Sequence, residues 1–197
     1  MLSSITPLGE RGRNNRWGLT VTAYVLGSSV GGSAIGAALG MFGSVLPRSP
    51  RLALGLLAGA ATIGATTELR PIAVKLPTNH RQVNERWLDE YRGWVYGLGY
   101  GFQLGLGLVT IVTSAATYLT FLAAFLCHSI PGGLAIGATF GVARALPVLL
   151  TAPVRHPTAL RRLLGRNAAW APVARRIAVG GQLCAMLVAI LAMIVVS

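Results

Sequence analysis

The residues that could do chemistry in this chain are few, and they stand in apolar surroundings. Cys127 and His128 are adjacent, and Cys184 is the only other cysteine. Thiolate and imidazole are both good soft-metal ligands, so Cys127, His128 and Cys184 are candidate redox or metal positions. A complete metal site needs more ligands than the neighbourhood of Cys127 supplies, so neither a metal nor a cofactor is expected. Cys184 lies only about a dozen ångström along the last apolar run at 1.5 Å per residue, whereas Cys127 ends its own run. A disulfide needs α-carbons within about 7 Å, so this pair is not expected to form one. Arg144 is the one charge inside an apolar run. Charges within a membrane are costly and point to function by default. It would bind an anionic group or pair with Glu68, unless its long stem carries the guanidinium to the interface. Gln103, Thr110, Thr113, Ser114, Thr117 and Thr120 make the run around them unusually polar. On a continuous helix Thr110, Thr113, Ser114 and Thr117 would share a face. They would line a solute path together with Gln103 and Arg144, or else bond between helices, at about 0.6 kcal/mol each. There is no phosphate-binding loop, metalloprotease helix motif or nucleophile elbow, and no catalytic residue is expected.

The elements that must hold these residues are helices in lipid. The chain has 197 residues, 53% hydrophobic and 11% charged, with a mean hydropathy of +0.62. A soluble domain carries about a quarter charged residues, so this one lacks the polar groups to cover a soluble surface. The formal charge is +12, but the basic residues sit between the apolar runs. They read as a topology signal and not as a nucleic-acid footprint.

The fold class expected is all-α: a polytopic membrane protein of about five helices. Residues 1–16 are a basic N-terminus, and 17–197 are one transmembrane domain. Its spans fall at about 17–46, 52–69, 94–126, 133–151 and 177–196, with cytoplasmic loops at 70–92 and 152–176. The first apolar run is too long for a cleaved signal, so it is read as a retained anchor. The third exceeds what about 30 Å of hydrocarbon needs, so it is strongly tilted or broken around 109–116. Glycines recur at spacing four: Gly32, Gly36 and Gly40, then Gly97, Gly101 and Gly105, then Gly133, Gly137 and Gly141. Each series makes a helix face bare of side chains, where another backbone can approach closely. Such faces would pack the bundle or dock a second membrane subunit. The lipid bilayer is the partner expected in any case, and nucleic acid is not. Fourteen of the seventeen basic residues fall on the side of the N-terminus, with only Arg48 and Arg51 opposite. The positive-inside rule then places the chain in the cell (inner) membrane, N-terminus cytoplasmic and C-terminus outside.

From Gly93 onward the chain resembles the DsbD/CcdA transmembrane family of thiol–electron carriers. The resemblance rests on Gly97-Leu98-Gly99-Tyr100-Gly101-Phe102-Gln103, on the Thr- and Ser-rich third run, and on the stretch from Gly137 to Pro147. It implies an inverted repeat, here two helices plus three, with the family's first helix missing. The family's redox cysteines do not carry over: 109–114 holds neither cysteine nor proline, and their role is not transferred to Cys127 or Cys184. Three functions follow as expectations: a small-solute transporter or permease-like protein first, then a thiol-redox component of cytochrome c maturation, then a non-catalytic subunit of a membrane complex.

Overall fold

The computed structural model describes residues 5–69, 90–107 and 114–195, and among these there is no strand. The helices, in chain order, are α1 (Pro7–Gly12), α2 (Trp17–Ser44), α3 (Pro50–Leu69), α4 (Gly93–Leu106), α5 (Ala116–Leu126), α6 (Ile130–Ala145) and α7 (Pro157–Val195), with a 3-10 turn at Leu146–Thr151 after α6. Local chemistry sets most of these ends. Pro50 opens α3, where the missing N–H would find no helical partner in any case. Ser129 caps α6, its Oγ accepting from Gly132 N–H at 3.3 Å. Pro147 falls where α6 gives way to the 3-10 turn. Gly107 takes a left-handed φ of 68° and ends α4.

Among the described residues, four helices are long and apolar enough to cross a membrane: α2, α3, α6 with its 3-10 extension, and the Ala169–Val195 part of α7. The run read as a single third span at 94–126 is two shorter helices, α4 and α5, either side of 108–113. The loop expected at 152–176 also differs, because α7 is already helical from Pro157. Positional charge marks a segment as outside the hydrocarbon, but it does not stop a helix that continues beyond the bilayer.

The architecture is a tight trio with a looser pair beside it. The trio is α2 flanked by α4 and α6, and its glycines explain how close the three lie. A Cβ built on Gly97, Gly101 or Gly105 would fall 2.0–2.6 Å from the carbonyl oxygens of Thr20, Tyr24 and Ser28. On the other flank, a Cβ on Gly32, Gly36 or Gly40 would fall 2.1–2.3 Å from those of Gly137, Gly133 and Ser129. These are backbone atoms, so no rotamer change makes room. Ser28 lies where all three meet, and its hydroxyl donates to the Gly141 carbonyl at 2.7 Å. The interior is small and aromatic, with Tyr24, Tyr96 and Tyr100 buried, while Leu26, Val30, Leu187, Leu191 and Ile194 are exposed. Apolar side chains outside and small residues inside suit lipid as the solvent. Helices α3 and α7 pack on one another and meet the trio mainly through α5.

Candidate functional site in the membrane interior

Two carboxylates, one buried and one half-buried, organise polar groups in this bundle in contrasting ways. Glu10, on α1, is fully buried. Its Oε2 accepts from the Thr20 hydroxyl at 2.7 Å. Its Oε1 accepts from Arg13 Nη2 at 2.8 Å and from the Tyr96 hydroxyl. The Gly93 N–H adds a bond to the neighbouring Asn15 Oδ1 at 3.2 Å. Burial alone would push the Arg13 guanidinium down, but its bond to Glu10 and the charges around it hold it above its ordinary value. Both Glu10 oxygens are satisfied, and the cluster ties α1, α2 and α4 together at the basic end. It is a clasp.

Glu68, the last residue but one of α3, is different. Its Oε1 gathers three donors: Ser114 Oγ at 2.6 Å, Ala115 N–H at 3.0 Å and Gln182 Nε2 at 3.2 Å. Among the described residues its buried Oε2 has no hydrogen-bond partner, and neither has the buried Gln182 Oε1. Gln182 itself is 1% exposed. Its amide oxygen faces Gly64, where a Cβ would stand 3.1 Å away. Leaving a buried polar group unsatisfied typically costs about 1–3 kcal/mol. These two acceptors without donors lie on helices that pack against one another. The cluster lies where α3, α5 and α7 meet. Gln182 is thirteen residues before Val195, about 20 Å along α7, well below that end of the bundle.

The break in the third run creates this site. Ending α4 at Gly107 and restarting at Ala116 frees Ser114 and the Ala115 N–H to turn towards Glu68. Ser114 Oγ also accepts from Ala116 N–H at 3.1 Å and so helps to start α5. Thr117 is buried on the first turn of α5, and Gln103 is half-buried on α4. Thr110 and Thr113 lie outside the described residues. The shared face argued for Thr110, Thr113, Ser114 and Thr117 assumes one unbroken helix, and Ser114 precedes α5.

Arg144 is half-buried, with its guanidinium carbon 5.4 Å from the Phe140 ring centroid and in electrostatic contact with Tyr24. Glu68 takes its hydrogen bonds from Ser114, Ala115 and Gln182 instead of from Arg144. Both cysteines are free thiols. Cys127 caps α5, its thiol donating to the Ala124 carbonyl at 3.0 Å, while Cys184 is exposed on α7. His128 has a left-handed φ of 49°, and its Nδ1 is 2.6 Å from the Leu126 carbonyl. Its own carbonyl accepts from Arg48 at 3.3 Å. The Cys-His pair thus builds the α5–α6 turn, and among the described residues no cluster of three metal-ligating side chains occurs. Sequence reasoning passed over Gln182, although it is the one amide in the last apolar run. It also passed over Glu10, whose spacing of three from Arg13 was a usable sign of an ion pair.

Among curated proteins, the chain is similar to methylamine utilization proteins named MauF. It is 30% identical to that of Paracoccus versutus over 179 residues, 87% of this chain and 65% of the relative. It is 31% identical to that of Methylophilus methylotrophus over 152 residues, 75% and 53% of the two chains. It is 34% identical to that of Paracoccus denitrificans over 135 residues, 68% and 46%. The chain therefore spans from about half to just under two thirds of the length of these relatives. No protein-family model and no solved structure matches it. The DsbD/CcdA resemblance is corrected by these names. Glycine at every fourth position is what close packing in lipid demands of any such bundle, so it could not single out one family. The chain is thus similar, at 30–34% identity, to the MauF proteins named above.

Proposed function

We propose that this chain is a multi-pass inner-membrane protein that serves methylamine utilization in an accessory role. Its N-terminus is cytoplasmic, its C-terminus outside, and its working site is the Glu68–Ser114–Gln182 junction. There it accepts a small cationic group on its way through the broken third run, a permease-like action. Gln103, Thr117 and Arg144 stand as further groups along that path. The observation that carries the reading is the pair of buried acceptors, Glu68 Oε2 and Gln182 Oε1, left without donors. A cation or ammonium group would satisfy both. The similarity to proteins named for methylamine utilization supports the setting.

The test is growth of the native host on methylamine after deletion of the gene and complementation. Glu68→Ala, made at wild-type level in the membrane, should fail to restore growth, and Gln182→Leu should restore it poorly. Full growth with Glu68→Ala would remove the site from the function.

A second reading, a docking subunit of a membrane complex, is favoured by one observation. Among the described residues, a Cβ on Gly55 or Gly59 of α3 would meet nothing within 4 Å, so none of them covers this close-approach face. Under this reading Gly59→Phe should abolish growth and the recovery of a second membrane protein on purification, whereas Glu68→Ala should not.

A further inference from the structure

At the basic end of the bundle, the 3-10 turn after α6 and the first half of α7 enclose a cleft of about 550 Å³. Its apolar lining includes Leu149 and Leu150, each about half exposed. Its polar lining includes His156, Arg162 and Arg166, and Trp170 lines it too. The guanidinium carbon of Arg166 lies 6.0 Å from the Trp170 ring centroid, so a flat aromatic surface holds this cation beside the opening. The cleft shares only α7 with the site around Glu68, its Arg166 lying sixteen residues before Gln182, and the proposed function does not use it.

We propose that this cleft binds one anionic phospholipid. Two guanidinium groups and an imidazole N–H suit a phosphodiester, because arginine presents paired donors to phosphate oxygens. The adjoining leucines suit the start of an acyl chain, and a tryptophan at the rim suits the headgroup level. A soluble anion would gain nothing from Leu149 and Leu150, and a neutral lipid nothing from the arginines. Only a molecule carrying both parts uses both. Basic pockets between helices at a membrane face recognise such headgroups, at about 1 kcal/mol per basic residue.

The test uses the full chain in nanodiscs containing equal amounts of phosphatidylglycerol and phosphatidylcholine. Lipid retained after extraction into a neutral detergent is read by native mass spectrometry. One retained phosphatidylglycerol per chain is expected, and R162Q/R166Q should lower its retention by roughly ten- to thirtyfold. R161Q/R175Q removes the same charge outside the cleft and should leave retention unchanged, which separates the site from bulk electrostatics. Equal retention of both lipids, or equal losses in the two double variants, would overturn the proposal. Displacement of the lipid by millimolar inorganic phosphate would overturn it too, since the site would then recognise phosphate alone. If R162Q/R166Q does not accumulate, Leu149→Glu tests the apolar lining on the same readout, and unchanged retention there counts against the proposal.

Discussion

At the residue scale, the two carboxylates separate structure from function by whether their oxygens are satisfied. Glu10 has a donor on each oxygen. Glu10→Ala should therefore strand Arg13, Thr20 and Tyr96 together and cost about 3 kcal/mol, read as a fall in the thermal midpoint in detergent. Tyr96→Phe removes one donor and should cost about 1 kcal/mol. Glu68 is expected to behave the other way. Glu68→Gln keeps the shape but puts an amide where a charge stood, so activity should fall while the midpoint changes little. The cysteines make a third case. Neither is bridged, and the Cys127 thiol is engaged with a backbone carbonyl. The double variant C127S/C184S should thus support normal growth on methylamine, and loss of growth would return the thiols to the function. Little of this was legible in the sequence. Arg144 stood out because a charge in an apolar run always does. Gln182 and Glu10 did not, because burial and pairing are decided by partners far along the chain.

At the element scale, the glycines divide by what faces them. Gly137→Ala would drive a methyl group to 2.0 Å from the Gly32 carbonyl oxygen. It should lower stability by about 1–3 kcal/mol or more, as overpacking does. Gly59→Ala meets nothing and should be neutral, or stabilising by up to about 1 kcal/mol through helix propensity alone. Chemical denaturation in detergent compares the two directly, and equal losses would mean that α3 is covered on that face. The sequence displayed both series alike, since spacing of four marks a face without saying what lies against it. Helix ends at prolines were easier to read, because Pro50 and Pro147 carry their own backbone chemistry, whereas the end at Gly107 falls inside the run read as one span at 94–126. The start of α7 was not legible either, because Arg155, Arg161, Arg162 and Arg166 announce water but say nothing against helix.

At the scale of the whole molecule, the number of crossings depends on how α4 and α5 are counted. The four long spans alone would return the C-terminus to the side of the N-terminus. If α4 and α5 together cross once more, the two termini lie on opposite sides. A phosphatase fused after Val195 should then be active and one inserted at 153–156 inactive. The reverse pattern, active at 153–156 and inactive after Val195, would mean that 93–126 enters the membrane without crossing it. The positive charge at three separated segments is what predicts this orientation from the sequence. The trio-and-pair arrangement was not legible there, because it depends on which glycine face meets which helix.

The backbone contact along α2 also governs how the molecule can move. Helices locked carbonyl against α-carbon cannot slide past one another by small steps, so α2, α4 and α6 form a stator. Helix α7 is a rod of about 58 Å that carries Gln182 within the membrane and Arg162 and Arg166 near its other end. With α3 alongside and α5 as the joint, any rocking takes place at the seam holding Glu68. A tug on the rod's basic end would then be felt at the carboxylate, as a key turned at one end of a lock shifts the bolt at the other.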